Sequence, residues 1–172
     1  MTETSGPNAG IETYLAALGS TDYAAVRSAR RALVAMGAQA IEPLWAARAH
    51  ADDRTRWEIT KTLAEIHDPR VADRLVQILI EDPDPGIRWL ATEGLIGLGE
   101  AGLPPLLEAL VHHSDSAWLR QGAHHVLKAL AVGPLEPLLR PVLQALEGLE
   151  PALQAPIAAQ QALQAIAGHH FP

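Results

Sequence analysis

The chain of 172 residues repeats one hydrophobic pattern about every thirty residues. Its clearest markers are four leucines that stand 30, 32 and 32 residues apart. Around each leucine, mainly apolar residues recur at offsets −8, −4 and +3, which together form one face of an α-helix. The pattern therefore predicts one amphipathic helix per unit, with its buried stripe centred on Leu33, Leu63, Leu95 and Leu127.

A second helix is predicted in every unit. Residues that suit a helix start recur with the same spacing and open another apolar run: Pro43, Asp73, Pro105 and Pro137. Glycines that suit helix C-caps stand just before three of these starts: Gly37, Gly99 and Gly133. Two antiparallel helices per unit, stacked unit on unit, predict an all-α fold, a right-handed α-solenoid of helical hairpins.

The pattern also predicts the limits of the repeats. Residues 1–10 are polar and are expected to be a flexible N-terminus, and residues 11–148 hold four helical hairpins. Beyond residue 140, prolines are expected to break the helical runs, namely Pro141, Pro151 and Pro156. Residues 149–172 are predicted to form a C-terminal capping helix and tail, because terminal repeats are usually atypical.

The third unit carries a family resemblance. Residues 64–71 (AEIHDPRV) and 81–99 (EDPDPGIRWLATEGLIGLG) resemble the short HEAT-like repeats of the phycobilisome-lyase type, most closely between residues 64 and 110. The resemblance implies a helical-repeat fold. It also implies one alternative function, an accessory subunit of a tetrapyrrole (bilin) lyase-type enzyme, although fold alone does not establish chemistry.

Composition narrows the function classes. The absence of cysteine excludes disulfides, thiolate zinc sites and cysteine catalysis. A net charge of −7 argues against nucleic acid and anionic membranes as partners. Residues 1–10 show neither the basic nor the apolar region of a signal peptide, so we expect a cytoplasmic protein. Most of the negative charge falls in residues 75–172, which would suit a partner of opposite polarity or serve only as a solvated surface.

The exposed ridge of the anchor helices is the candidate binding surface. In solenoids such helices line the concave face, where partners usually bind. Trp57 and Trp89 share one offset in adjacent units, so their indoles are predicted to lie side by side. Tryptophan and arginine dominate protein–protein hot spots, although indoles can also simply pack over neighbouring arginine stems. The predicted partner-binding ridge is Arg27, Arg31, Trp57, Lys61, Trp89, Glu93, Gln121 and His125.

Two charged columns accompany this ridge. Acidic residues recur eleven positions before the anchors, at Asp22, Asp52 and Asp84, where helix N-caps belong. Arginines recur seven positions before them, at Arg56, Arg88 and Arg120. We interpret the columns as a structural Asp–Arg ladder between turns and helices. The alternative is a stripe of arginines that binds anions.

The sequence offers no catalytic or metal-binding constellation. Its histidines occur as adjacent pairs, which point in different directions on a helix and lack the i, i+4 spacing of a helical zinc site. Serines in the turns have no histidine–aspartate partner that spacing supports. The sequence therefore predicts a non-catalytic protein without metal or cofactor, which binds a protein or peptide.

Overall fold

The computed structural model describes residues 7–168, with side chains from residue 10 onward. Within this part of the chain there are α-helices and short 3-10 turns but no strand. The helices are α1 Pro7–Leu18, α2 Tyr23–Met36, α3 Ala38–Arg48, α4 Asp53–Glu65, α5 Ala72–Glu81, α6 Pro85–Leu98, α7 Leu103–His112, α8 Ala117–Leu130, α9 Glu136–Glu147 and α10 Pro151–Gly168.

The first eight helices form two layers of a solenoid. Each odd helix packs against the next even helix as a hairpin, and α2, α4, α6 and α8 pack against one another in order. We call these four the second-helix layer. Helices α1, α3, α5 and α7 form the first-helix layer, in which α3 reaches α5 through the 3-10 turn Pro69–Val71. The predicted all-α solenoid of helical hairpins is confirmed.

The anchor leucines explain why the layers hold together. All four have an exposed fraction of 0%, and the apolar residues of neighbouring units join them in one continuous core. Full burial of one leucine side chain contributes roughly 1.5–3 kcal/mol, so the recurring stripe supplies much of the driving force in each unit.

Most helix ends follow the predicted capping chemistry, but the prediction of Gly133 as a C-cap is wrong, because α8 ends at Leu130 with Ala131 as its C-cap. The side chains of Asp22, Asp52 and Asp84 accept hydrogen bonds from backbone N–H groups in the first turns of α2, α4 and α6. Hydrogen bonds from the Thr55 backbone N–H and, to a smaller extent, from the Thr55 hydroxyl lower the pKa of the Asp52 carboxyl. At the other ends, Gly37 follows α2 with φ 58°, a conformation that side chains with a Cβ rarely adopt.

Three prolines depart from their predicted roles. Pro43 was expected near a helix start, and Pro141 and Pro156 were expected to break helices, yet each lies inside a helix. Each stands five residues after its helix begins, so each removes only one backbone hydrogen bond close to the N-terminus. Buried neighbours on both sides outweigh this loss, as Leu139 and Val142 do around Pro141.

The last hairpin is reversed relative to the others. Helix α9 packs against α8 in the second-helix layer, and α10 returns to pack against α7 and α9. The segment predicted as a capping helix is therefore one half of a fifth hairpin. At the other end, α1 includes residues 7–10, which were predicted to be flexible, because the helix begins at Pro7. Residues 1–6 and the predicted tail at 169–172 lie outside the described residues.

One described segment, residues 85–112, is long and apolar enough to cross a membrane, with a mean hydropathy of 1.3. Length and composition alone decide that test, and a core helix of a soluble protein passes it equally. In the structure the segment is two helices, α6 and α7, divided at Gly99 with φ 60°. Leu95, Leu103 and Leu107 are buried against neighbouring helices, so the repeat core accounts for the apolar character.

Candidate functional site: clefts of the second-helix layer

The predicted ridge lies on the second-helix layer, but the structure divides it between two clefts. Arg27 and Arg31 project from α2, Trp57 and Lys61 from α4, and the others from α6 and α8. Five ridge side chains are exposed, and three are half-buried, namely Trp57, Lys61 and His125.

The larger aromatic cleft lies between α6 and α8, and we call it the α6–α8 cleft. It has a volume of about 430 Å³ and opens to solvent. Trp89 and Trp118 line it, with exposed fractions of 53% and 42%. Trp89 lies on α6 and Trp118 on α8, and each exposed indole offers a large apolar area that a partner can bury. The Arg88 guanidinium stacks on Trp118, with 4.1 Å between its central carbon and the ring centroid.

Ridge residues of adjacent units contact each other across this cleft. The ring centroids of Trp89 and His125 are 4.6 Å apart. His125 Nε2 lies 3.3 Å from a carboxylate oxygen of Glu93. These contacts hold Trp89 in position between α6 and α8. Gln121 also lines the cleft and is exposed.

A smaller cleft lies between α2 and α4, and we call it the α2–α4 cleft. It has a volume of about 330 Å³ and is lined by Arg27, Trp57 and Lys61, among others. The Lys61 ammonium lies 4.9 Å from the centre of the Trp57 ring. The prediction that Trp57 and Trp89 lie side by side is therefore wrong. Trp57 pairs with a cation of its own helix, and Trp89 leans toward α8 because His125 offers a ring there.

The Asp–Arg ladder does not form as predicted. Asp22, Asp52 and Asp84 are occupied as N-caps, and among the described residues none of them pairs with Arg56, Arg88 or Arg120. Arg88 and Arg120 turn back to the loop before their own helix, whereas Arg56 pairs with Asp53 of its own helix and with Asp82 of the next unit. Arg88 Nη1 donates to the carbonyl oxygens of Asp82 and Pro83 at 2.8 and 2.9 Å, and Arg120 donates to the Ser114 carbonyl. These carbonyl acceptors lie only five or six residues before the arginines in the chain, which favours them over acceptors in another unit.

One carboxylate does connect units, and the sequence columns missed it. Asp82 is 3% exposed at the end of α5 and pairs with Arg48 of α3 and Arg56 of α4. The other Asp82 oxygen accepts the backbone N–H of Asp84 at 2.9 Å. Burial lowers the pKa of Arg48, although the Asp82 carboxylate opposes that shift. Asp82 is a structural centre that joins two hairpins.

Among the described residues, no three histidine, aspartate or glutamate side chains group as a metal site would need. His124 pairs with Glu147 at 2.8 Å rather than with another histidine. Sequence reasoning also missed Trp118, which stands outside the ridge offsets at the start of α8. The sequence signal that could have identified Trp118 is the residue type, because the chain has only four tryptophans.

Comparison with known proteins agrees with this architecture. The family model for HEAT repeats matches residues 41–128, half of the chain, and the chain therefore belongs to the HEAT repeat family. HEAT repeats generally mediate protein interactions and are typically non-catalytic. No curated protein shows significant similarity to the chain.

Proposed function

We propose that this protein is a non-catalytic interaction module that binds a peptide or protein segment on its second-helix layer. The observation that carries the proposal is the α6–α8 cleft. Its lining includes Trp89 of α6 and Trp118 of α8, and both side chains are about half exposed. Tryptophan side chains in a cleft are typical anchors of protein interfaces. Both clefts are open to solvent, which suits an extended peptide better than a small molecule that a pocket must enclose.

A peptide selection tests the proposal directly. Random peptides displayed on phage are selected on immobilised wild-type protein and on the variant Trp89→Ala/Trp118→Ala. We expect peptides that bind the wild type and lose binding to the variant. The matched control is Leu153→Ala/Ile157→Ala, which removes two exposed apolar side chains from α10, away from the cleft. Enriched peptides that bind all three proteins equally would contradict the proposal.

The proposal also covers the type of repeat and the subcellular localisation. We further propose that the repeats are of the phycobilisome-lyase type, on the resemblance of residues 64–110, and that the protein is cytoplasmic. No contact among the described residues favours the alternative of an accessory subunit for a tetrapyrrole enzyme. A shift in the absorbance of a bilin on mixing with the protein, abolished in Trp89→Ala/Trp118→Ala, would support that alternative instead.

A further inference from the structure

The second-helix layer is cationic although the protein as a whole is acidic. Its four helices hold nine lysines and arginines against four aspartates and glutamates, a balance of +5, whereas the whole chain carries −7. The four helices of the first-helix layer hold two arginines against five acidic residues, a balance of −3. Charge is therefore sorted between the two layers.

Ion pairing makes this contrast sharper. The acidic residues of the second-helix layer are all paired, as in Glu58 with Arg30 and Glu93 with His125. Seven of its nine cations have no aspartate or glutamate within 4.0 Å in the part of the chain that the structure describes. In the first-helix layer both arginines are paired, Arg48 with Asp82 and Arg74 with Glu42.

Three of the seven unpaired cations line the aromatic clefts. Arg27 and Lys61 line the α2–α4 cleft beside Trp57, and Arg31 lies one turn further along α2. Arg88 lines the α6–α8 cleft, where its hydrogen bonds go to neutral carbonyl groups. Each cleft thus combines an indole with a positive charge that no carboxylate neutralises.

We infer that the partner is an acidic peptide segment with two apolar anchors. The inference rests on the proposed function and deepens it. Carboxylates of the peptide would pair with Arg27, Arg31, Lys61 and Arg88, while the anchors enter the clefts beside Trp57 and Trp89. Nucleic acid fits this layer less well, because phosphate binding needs more cations on one face and the whole protein is acidic.

Helix packing sets the spacing of the anchors. Neighbouring helices lie about 8–10 Å apart, so the two clefts, which are two helix positions apart, are separated by about 18 Å. An extended chain advances about 3.4 Å per residue. The anchors are therefore expected about five residues apart, with acidic residues between and beside them.

The test selects displayed random peptides of about twelve residues, long enough to span the layer. Selection uses the wild type, Trp89→Ala/Trp118→Ala and Arg27→Ala/Arg31→Ala. The matched control is Arg70→Ala/Arg140→Ala, which removes two exposed, carboxylate-paired arginines that line neither cleft. Enriched peptides are synthesised with a fluorescent label, and their Kd is measured by anisotropy, alongside single-stranded oligothymidylate.

We expect peptides rich in aspartate and glutamate. Their Kd should rise about tenfold in Arg27→Ala/Arg31→Ala, since two exposed ion pairs are lost, and should stay unchanged in the control. Trp-dependent peptides that are neutral or basic, or that bind Arg27→Ala/Arg31→Ala with wild-type affinity, overturn the acidic-partner inference and leave the proposed function standing. No enriched peptide, or binding of oligothymidylate alone, overturns both.

Discussion

At the scale of single residues, the exposed tryptophans and the buried Asp82 have different roles. The tryptophans offer a binding surface, and Asp82 supports the fold. Trp89 and Trp118 remain half-exposed, whereas Asp82 is buried with two arginines of other helices. A buried carboxylate is costly unless opposite charges and hydrogen bonds compensate it, and here Arg48 donates a hydrogen bond while Arg56 adds an ion pair. Residues with these two roles require different tests, one of binding and one of folding.

The variant Asp82→Asn tests the supporting role. It keeps the size of the side chain but leaves Arg48 and Arg56 without their shared counter-charge. We expect the free energy of unfolding to fall by about 3 kcal/mol, as when one partner of a buried ion pair is removed. Urea denaturation followed by circular dichroism measures the change.

The control for that measurement is Glu108→Gln on α7, which removes an exposed carboxylate. Its effect should stay within about 0.5 kcal/mol, as for most surface substitutions. Equal unfolding midpoints for Asp82→Asn and the wild type would show that the buried network contributes nothing to stability.

The sequence identified many residues of the site but not their contacts. Trp89, Glu93 and His125 were predicted from their offsets, because exposure on a helix follows its 3.6-residue period. The partner of Trp89 depends on the distance between α6 and α8, and the hydrophobic period of a helix carries no information about that distance. Asp82 escaped notice for a related reason, since it stands in a turn and its partners are 34 and 26 residues away in the sequence.

At the scale of helices, close approach explains one of the glycines of α6, Gly94. A Cβ at Gly94 would lie 2.9 Å from the Ala64 Cα and 2.8 Å from a Leu75 methyl carbon. Gly94 therefore lets α6 pack tightly on α4 and α5. A Cβ at Gly97 would meet only the exposed ring of His67, at 3.1 Å, which can move.

A pair of glycine variants in α6 tests this packing. Gly94→Ala should destabilise the protein by about 1–3 kcal/mol, because the backbone of α4 cannot yield without disturbing the core. Gly97→Ala should stabilise it by about 0.5–1 kcal/mol through higher helix propensity. Thermal melting of both variants decides the point. The same sign for both would mean that propensity or strain alone controls α6.

The helices themselves were predictable because the apolar period and the capping residues agree. The reversal of the last hairpin was not. An amphipathic helix records which of its faces is buried, but not which neighbour buries it, so the stripe of α9 is compatible with either layer. The predicted helix breaks at Pro141 and Pro156 were wrong for a similar reason. Burial of neighbouring side chains outweighs the loss of one backbone hydrogen bond at each proline.

At the scale of the whole molecule, the reversed hairpin closes one end of the solenoid. Removing residues 133–172 would expose the faces of α7 and α8 that α9 and α10 cover. In solenoids each unit is stabilised by its neighbours, so the truncated protein should melt at a lower temperature and bind a hydrophobic dye. An unchanged melting temperature without dye binding would show that four hairpins suffice.

Charge is also organised at this scale. The sequence suggested a contrast between the two halves of the chain, but the structure sorts charge between two layers. Sequence position does not separate the layers, because their helices alternate every fifteen residues or so. The contrast follows from the assignment of helices to layers, and the ion pairs sharpen it.

Hydrogen exchange with a bound peptide tests the central claim most directly. The protein is measured by mass spectrometry alone and with a selected peptide at saturation. The account predicts slower exchange in the first turns of α6 and α8 and in α2 and α4, with α3, α5 and α7 unchanged. Protection confined to α3, α5 and α7 would contradict it, because the partner would then occupy the acidic first-helix layer.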